Sequence, residues 1–165
     1  MWADEKTEGQ AQNDIPVIVK FKHVHLLLLQ KQYPLKPEIK EELTPIIDNL
    51  KEQGLLIPCN SPCNTPILGV KKSNDKWRLV QYLWIINEAI VALHSMVHNP
   101  YTLCLKFLNE PNIFQIIDLK DAFYPIPLVK ESQILFAFED PIQPAPRLTC
   151  TISHQGFCDS PHLFR

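Results

Sequence analysis

Two aspartates follow an apolar run near the middle of the chain. The stretch IFQIIDLKDAF, residues 113–123, places four bulky apolar residues before Asp118, and Asp121 comes three positions later. Such a run is typical of a buried strand, and a carboxylate at its end can hold Mg²⁺ together with waters and substrate phosphates. The alternative is that Asp118 caps the short helix that follows, with Asp121 favouring its first turn. The pattern alone favours the cap.

A basic cluster lies in KKSNDKWR, residues 71–78. On a hairpin, its cations can hold a triphosphate or a nucleic-acid backbone. More often, such a basic run is a solvent-exposed hairpin whose lysines bind no ligand. The four cations surround Trp77 and are Lys71, Lys72, Lys76 and Arg78.

Other site motifs are weak. Cys59 and Cys63 are separated by three residues, but no second pair of ligands has the spacing of a zinc site. His94 and His98 are four apart and lack the glutamate of a zinc-helix motif. The chain has neither a glycine-rich phosphate loop nor a Gly-x-Ser-x-Gly elbow. We therefore expect no zinc site.

The composition is that of a folded chain without a general affinity for polyanions. The 165 residues are 45% hydrophobic and carry a formal net charge of −2, which predicts one domain or two small lobes. Nucleic-acid-binding proteins are usually strongly basic. Any contact of this chain with a nucleic acid must therefore come from a local basic patch. The 15 prolines and 4 glycines favour short, rigid connections.

Cysteine usage and the N-terminus indicate a reducing compartment. The 5 cysteines are an odd number, and the opening sequence is polar and acidic where a signal peptide needs an apolar core. Free thiols are therefore expected. The most apolar run, HLLLLQ, is far too short to span a bilayer. We expect an intracellular, cytoplasmic chain that does not bind membranes.

Periodicity predicts one clear helix over residues 36–54. Glutamates lie early in this segment, and Gly54 ends it. Pro45 lies inside and predicts a kink or break. The apolar residues that recur at helical spacing are Ile39, Leu43, Ile46, Ile47 and Leu50.

The first part of the chain is predicted to contain little other regular structure. Residues 1–14 are expected to be a loose leader, and residues 15–29 to be extended. Pro58, Pro62 and Pro66 argue against a regular element in residues 55–66. Residues 67–80 then predict a hairpin with Ser73-Asn74-Asp75 at its turn.

Two strands and a helix start are expected near the end of the chain. Residues 133–139 and 147–153 are predicted strands joined by the wide loop DPIQPAP, with Leu148, Cys150 and Ile152 on one face. Ser160 as N-cap, followed by Pro161, predicts that a helix begins here. Because the sequence stops after one turn, we interpret the chain as a piece of something larger.

Taken in order, segments along nearly the whole chain resemble the N-terminal part of a retroviral reverse transcriptase. The resemblance is closest to the gammaretrovirus-like type found in endogenous proviruses. So many motifs in one order make it specific. The segments are QYPLKPE, QGLLIPCNSPCNTPILGVKK, KWRLVQ, INEAI, NPYTL, IIDLKDAF, LFAFED and HQGFCDSPHLF.

The resemblance implies an α+β fold: the fingers and partial palm of a right-hand-shaped reverse transcriptase polymerase domain. Residues 1–30 would be a leader or extended segment, and residues 31–165 the fingers and the first part of the palm. The implied partners are an RNA or DNA template-primer and a deoxynucleoside triphosphate. The implied cofactor is Mg²⁺. The oligomeric state stays open.

The resemblance also assigns roles to individual residues. Asp118 would ligate both magnesium ions, with the backbone carbonyl of Leu119 as a further ligand, which reverses the preference for a helix cap. Phe123 would pack against the deoxyribose and exclude a 2′-hydroxyl group. The remaining substrate-binding residues would be Lys72 and Arg78 on the triphosphate, Gln155 on the nucleotide, and Asp121 and Ala122 of the acidic motif.

Two departures from the family concern activity. The 165 residues contain no Tyr-x-Asp-Asp sequence, and one carboxylate cannot hold two magnesium ions in line. Aromatic residues replace an acid and a base at Tyr82 and Trp84, and His154 replaces the proline of the Pro-Gln-Gly turn. Prolines are also missing at Ala92, Ser95 and His98.

Three interpretations follow. In the first, the chain is part of an RNA-directed DNA polymerase from an endogenous retroviral pol gene. It is then a nucleotidyltransferase by descent and is expected to be inactive as this chain alone. The second is a co-opted nucleic-acid- or protein-binding module without catalysis, for which the basic hairpin and Trp77 would provide charge and stacking. The third is a chain whose unfinished sheet makes it fold poorly.

Overall fold

The computed structural model of the chain describes residues 15–22, 28–73, 75–93, 126–143 and 145–163. Helices and short two-stranded sheets alternate in these ranges, so the expected α+β class is confirmed. In chain order the elements are α1 (Pro37–Glu52), β1 (Leu56–Cys59), β2 (Ile67–Lys71), β3 (Trp77–Gln81), α2 (Trp84–Ala89), α3 (Lys130–Gln133), a 3-10 helix (Ile134–Phe136), β4 (Arg147–Cys150) and α4 (Ser160–Leu163).

Several predictions concern residues outside these ranges and stay predictions. They include the leader, the histidine pair and the apolar strand with its acidic motif. The residues concerned are 1–14, His94, Ser95, His98, 113–117, Asp118, Leu119, Asp121, Ala122 and Phe123.

Helix α1 forms where its periodicity predicts it. Leu43, Ile47 and Leu50 are buried, and Ile39 and Ile46 pack partly against the same hydrophobic cluster. In water, burying such an apolar face supplies most of the stability of a helix of this length.

The helix continues through Pro45, so the expected break does not occur. Pro45 lies on the exposed side, and water can therefore solvate the Glu41 carbonyl group, which lacks its usual N–H partner. The chain leaves the helix at Gly54, whose φ of 71° is a left-handed conformation that glycine adopts without a Cβ clash.

The predicted hairpin is confirmed. Strands β2 and β3 pair antiparallel, from Ile67 opposite Gln81 to Lys71 opposite Trp77. Asp75 in the connecting turn has a φ of 63°, a conformation that aspartate tolerates better than most residues.

Helix α1 approaches the hairpin so closely that only glycine fits at position 69. A Cβ atom on Gly69 would lie 2.4 Å from Ile39 Cγ2, 3.4 Å from Trp77 Cε3 and 3.5 Å from Leu43 Cδ1. The hairpin face that carries Gly69 and Trp77 is therefore turned toward α1. Because side chains alternate along a strand, Arg78 lies on the opposite face.

The second sheet corrects the expectation that residues 55–66 contain no regular element. Strand β1 pairs antiparallel with β4, and Pro58 lies within β1 opposite Leu148. Within the described part of the chain, β4 is the only strand hydrogen-bonded to β1. Proline lacks an N–H group, but a strand with one free edge does not need that group for pairing.

The predicted strand over residues 133–139 is wrong. Helix α3 and the 3-10 helix occupy its first part, and Phe138 makes only an isolated bridge to Leu148. The strand after it is confirmed, since β4 forms and Leu148, Cys150 and Ile152 are buried in one cluster.

Tertiary hydrogen bonds explain the helical turn at residues 130–136. The Thr149 hydroxyl group donates to the Gln133 carbonyl, and the Ser61 hydroxyl group donates to the Ile134 carbonyl over 2.6 Å. These bonds satisfy carbonyl groups that a short helix leaves unpaired at its end. The donors come from distant parts of the sequence, so local propensity does not reveal them.

The described residues of the predicted extended segment, 15–22 and 28–29, form no helix and make isolated strand-like bridges, in agreement with the prediction. Val17 bridges to Leu128, and Phe21 bridges to Ile90. Val19 is buried, and its N–H group donates to the Ser132 hydroxyl group over 2.9 Å. The division of the chain at residue 30 stays a prediction.

An ion pair joins α1 to the loop after Phe138. Lys51 Nζ lies 2.7 Å from Asp140 Oδ2, and the Ile142 N–H group donates to Asp140 Oδ1 over 2.9 Å. Burial raises the pKa of the Asp140 carboxyl group, but the hydrogen bonds from Lys51 and Ile142 outweigh burial and hold this pKa below its usual value. The carboxylate therefore stays charged in the folded chain.

Within the described ranges, no helix combines the length and apolar character that crossing a membrane requires.

We predict that Gly69→Ala destabilises the chain by roughly 1–3 kcal/mol, because the added methyl group overlaps the Ile39 side chain. Urea unfolding followed by circular dichroism measures this change. Ile39→Ala removes the overlapping Cγ2 atom. This second change should therefore destabilise the Gly69→Ala variant less than it destabilises the original chain. Purely additive effects would contradict the close packing.

Candidate functional site

Three of the site residues expected from the sequence lie in the described part of the chain. Lys72 and Arg78 belong to the hairpin, and Gln155 lies in the turn before α4. The acidic motif around Asp118 is outside the described residues, so the arrangement of all the predicted site residues stays a prediction.

Lys72 and Arg78 border one open cleft. Arg78 lies opposite Val70 on the hairpin face turned away from α1, and the Lys72 N–H group donates to the Lys76 carbonyl over 2.8 Å at the turn. The cleft has a volume of about 400 Å³ and is lined by Val70, Lys71, Lys72, Ser73 and Arg78.

The cations of this cleft differ in their pairing. Lys71 Nζ lies 2.8 Å from Asp75 Oδ1, which neutralises that lysine in part. Among the described residues, neither Lys72 nor Arg78 forms an ion pair. Their two charges are available to an anion, and the Arg78 guanidinium group can bind phosphate oxygens in a bidentate manner.

Trp77 does not face this cleft. It is half-buried and lies on the hairpin face toward α1, where its ring is among the atoms closest to Gly69. The stacking role considered for Trp77 therefore has no support from its position.

Gln155 lies in a tight turn. The Phe157 N–H group donates to the His154 carbonyl over 3.2 Å, closing a turn with Gln155 and Gly156 at its centre. Gly156 has a φ of 94°, which favours glycine at this position of a β-turn. The turn leaves Gln155 partly exposed.

Asn87 of α2 anchors this turn from the side. Its Nδ2 group donates to the Gly156 carbonyl over 2.9 Å, and its Oδ1 atom accepts the Cys158 N–H group over 3.1 Å. Sequence reasoning quoted the surrounding INEAI segment without giving Asn87 a role. The available signal was the asparagine itself, which with Glu88 is one of two polar residues in the short helix α2.

His154 is buried beneath the turn. Its ring stacks on Phe136 with centroids 6.4 Å apart, and Nε2 forms a hydrogen bond with Cys150 Sγ. Burial lowers the pKa of His154 to about 4 and raises the pKa of the Cys150 thiol well above its usual value. Both groups are therefore neutral near pH 7, unlike an activated Cys–His pair.

Helix α4 begins at Ser160, as predicted. The Ser160 hydroxyl group lies 2.9 Å from Ser153 Oγ and donates to the His154 carbonyl over 3.3 Å. These bonds tie the start of α4 to the Gln155 turn.

A second cleft was not anticipated. It has a volume of about 420 Å³, and the Arg147 guanidinium group beside it donates to the Ser61 carbonyl over 2.7 Å. Burial raises the pKa of the Cys59 thiol, while Arg147 opposes this shift. The lining residues are Pro58, Cys59, Asn60, Ser61, Ala145, Pro146 and Arg147.

The structure does not gather the three described site residues into one cleft, since Gln155 is not among the residues lining the hairpin cleft. Within the described ranges, no group of three His, Cys, Asp or Glu side chains could hold a metal ion. His94 and His98 lie outside those ranges, and the expectation of no zinc site stays a prediction.

No protein-family model matches the chain, but curated retroviral proteins do. It is 38% identical over 165 residues to the Gag-Pol polyprotein of Walleye dermal sarcoma virus. It is 39% identical over 167 residues to the Pol polyprotein of Feline endogenous virus ECE1 and 40% identical over 167 residues to the Gag-Pol polyprotein of Feline leukemia virus. Each match covers 99% of this chain but only 9%, 16% and 10% of the respective relative.

Solved foamy virus structures also match. The foamy viral protease-reverse transcriptase dRH in complex with double-stranded DNA superimposes with a TM-score of 0.70 at 27% identity, covering 90% of this chain and 27% of the other. The native prototype foamy virus protease-reverse transcriptase also gives a TM-score of 0.70, at 28% identity, covering 88% and 20%. The homologues of this chain are thus retroviral Gag-Pol and Pol polyproteins.

We predict that Asn87→Ala loosens the Gln155 turn, because it removes both side-chain bonds that anchor Gly156 and Cys158. The expected loss is about 1 kcal/mol of local stability, measured as faster hydrogen exchange of the Cys158 amide. Asn49→Ala on the exposed side of α1 is the matched control and should leave this amide unchanged. Equal exchange in both variants would show that Asn87 does not anchor the turn.

Proposed function

We propose that this chain is a reverse-transcriptase-related part of a retroviral Pol protein, comprising the fingers and the first part of the palm. The observation that carries the proposal is the similarity to Pol polyproteins, which extends over 99% of the chain. The TM-score of 0.70 with the foamy viral protease-reverse transcriptase supports the same assignment. In this proposal residues 1–30 are a leader, residues 31–165 belong to the polymerase domain, and the source is a gammaretrovirus-like endogenous provirus.

The hairpin cleft is the proposed triphosphate site. A nucleoside triphosphate is a compact polyanion, and Lys72 and Arg78 bring two cations without ion-pair partners in the described structure to one cleft of about 400 Å³. The Ser73 side chain can add a hydroxyl donor to a phosphate oxygen. Packing of α1 against Gly69 fixes the hairpin from behind, so its outward face is available to a ligand.

The acidic motif supplies the proposed magnesium ligands. Asp118 offers a carboxylate and Leu119 a backbone carbonyl, and hard oxygen ligands of this kind suit Mg²⁺. Mg²⁺ would neutralise phosphate charge when bound there. Two oxygen donors do not complete a two-metal site, and the sequence has no Tyr-x-Asp-Asp to add others.

The proposed ancestral chemistry is nucleotidyl transfer, in which a primer 3′-hydroxyl attacks the α-phosphate of a deoxynucleoside triphosphate and displaces pyrophosphate. The described residues of this chain would contribute nucleotide binding to that reaction. Phe123 would exclude the 2′-hydroxyl group, and Gln155, Asp121 and Ala122 would contact the nucleotide.

Template-primer is the proposed macromolecular partner. Two of the similar foamy viral structures are complexes with double-stranded DNA. The net charge of −2 gives this chain no general attraction for a phosphate backbone, so contact would depend on local cations. The alternative is a co-opted nucleic-acid- or protein-binding module without catalysis. Stacking by Trp77 does not support this alternative, because Trp77 faces α1.

We predict that Lys72→Ala and Arg78→Ala each weaken binding of a fluorescent deoxynucleoside triphosphate by about fivefold, which corresponds to about 1 kcal/mol for an exposed charge. Lys130→Ala removes an exposed lysine from α3 and serves as the charge-matched control. Equal affinities of all three variants would refute the cleft as a triphosphate site. Salt-dependent RNA binding with no nucleotide binding would favour the alternative module.

We further predict that Mg²⁺ strengthens nucleotide binding and that Asp118→Asn removes this enhancement, because the amide is a poorer ligand for a hard cation. Nucleotide titrations with and without Mg²⁺ measure the difference. Asp48→Asn, at an exposed position of α1, should retain it. If Asp118→Asn retains it as well, Asp118 does not act as a magnesium ligand.

A further inference from the structure

His154 combines burial with a position directly under the Gln155 turn. The residue is 9% exposed, and its ring lies against Phe136, which is itself packed edge-on against Phe157 with centroids 5.5 Å apart. Its Nε2 atom contacts the Cys150 thiol. The ring thus occupies an apolar site whose one described polar partner is neutral.

Charged groups on the neighbouring elements are directed elsewhere. Arg147 on β4 donates to the Ser61 carbonyl, and Asp159 after the turn accepts the Leu93 N–H group over 2.9 Å. Glu88 on α2 and Glu131 on α3 are exposed. Among the described residues, no carboxylate forms an ion pair with the ring, so nothing described there stabilises an imidazolium charge.

The backbone of His154 also holds the turn together. Its carbonyl group accepts both the Phe157 N–H group and the Ser160 hydroxyl group. The ring and this carbonyl group belong to the same residue, so a backbone shift at His154 that carries the ring out of its site would also break both bonds. The hairpin depends on other contacts and can stay intact, whereas Cys150 belongs to the same hydrophobic cluster as the buried face of α1.

We propose that His154 makes the Gln155 turn an acid-sensitive element: protonation expels the imidazole from its site between Phe136 and Cys150 and opens the turn while the rest of the chain stays folded. The conformational change does not require the proposed function. Its consequence, loss of the Gln155 contact with a nucleotide in acid, does rest on that function.

The direction of the pH dependence follows from the burial of the ring. Burial lowers the pKa of His154 from 6.5 to about 4, so the opened form takes up a proton more readily than the closed form. The closed turn is fully favoured above pH 6.5 and loses stability as the pH falls toward 4. At pH 5 the opened fraction should be about 30-fold larger than at pH 7.5.

Accessibility of the Cys150 thiol tests this proposal without any nucleotide, so the result is independent of the proposed function. 4,4′-Dithiodipyridine labels thiols in acid, and mass spectrometry of peptides reports Cys150 separately from the other cysteines. Rates are normalised to those of the chain in denaturant at each pH. We expect the normalised Cys150 rate to rise about 30-fold from pH 7.5 to 5, with the far-UV circular dichroism unchanged.

Two variants of His154 separate protonation of the ring from other effects of acid. His154→Phe keeps an aromatic ring without a titrating group and should label Cys150 independently of pH. His154→Gln, neutral at every pH, replaces it if the first variant does not fold. An acid-induced rise that persists in the folded variant, or one absent from the original chain, would overturn the proposal. Loss of circular dichroism in parallel with labelling would also overturn it, because the opening would then be global.

Discussion

A proline-interrupted segment, residues 60–66, constrains the rest of the structure, and all of it except Asn60 and Pro62 is buried. It runs between the two hydrophobic clusters without regular structure of its own, so its polar groups need partners from elsewhere. The Gln81 side chain donates to Thr65 Oγ1 and to the Phe136 carbonyl. The Asn64 N–H group donates to the Leu28 carbonyl over 2.8 Å, and the Thr65 N–H group donates to the Ala137 carbonyl over 2.9 Å. Each bond joins parts of the chain that are distant in sequence.

This arrangement links the two candidate functional features. The hairpin starts directly after the segment, and Gln81 at the end of β3 fixes it to the 3-10 helix that also carries Phe136. Phe136 in turn supports the His154 ring under the Gln155 turn. The surface near these features carries two aromatic side chains, since Tyr82 is 38% and Trp84 57% exposed. Aromatic residues at such positions alter what the surface can bind without disturbing the core.

Where sequence reasoning was wrong, the deciding interactions were distant in sequence. Residues 133–136 have the composition of a strand, yet hydroxyl groups of Ser61 and Thr149 stabilise a helical turn there. Pro58 argued against a strand, yet β1 pairs on one edge only within the described chain. The properties of His154 also required the fold, because only burial against Phe136 and Cys150 gives that histidine an unusual pKa.

The sequence by itself determined helix α1, the hairpin, β4 and the start of α4, because apolar periodicity and turn residues act over a few positions and need no distant partner. It also determined the resemblance to retroviral Pol proteins, which depends on the order of motifs. Only the tertiary structure decided which face of the hairpin is free, since that follows from the contact of Gly69 with α1. It likewise decided that Asn87 anchors the Gln155 turn and that His154 lies buried beneath it. Burial and long-range hydrogen bonds arise only when distant segments pack together, so no local pattern encodes them.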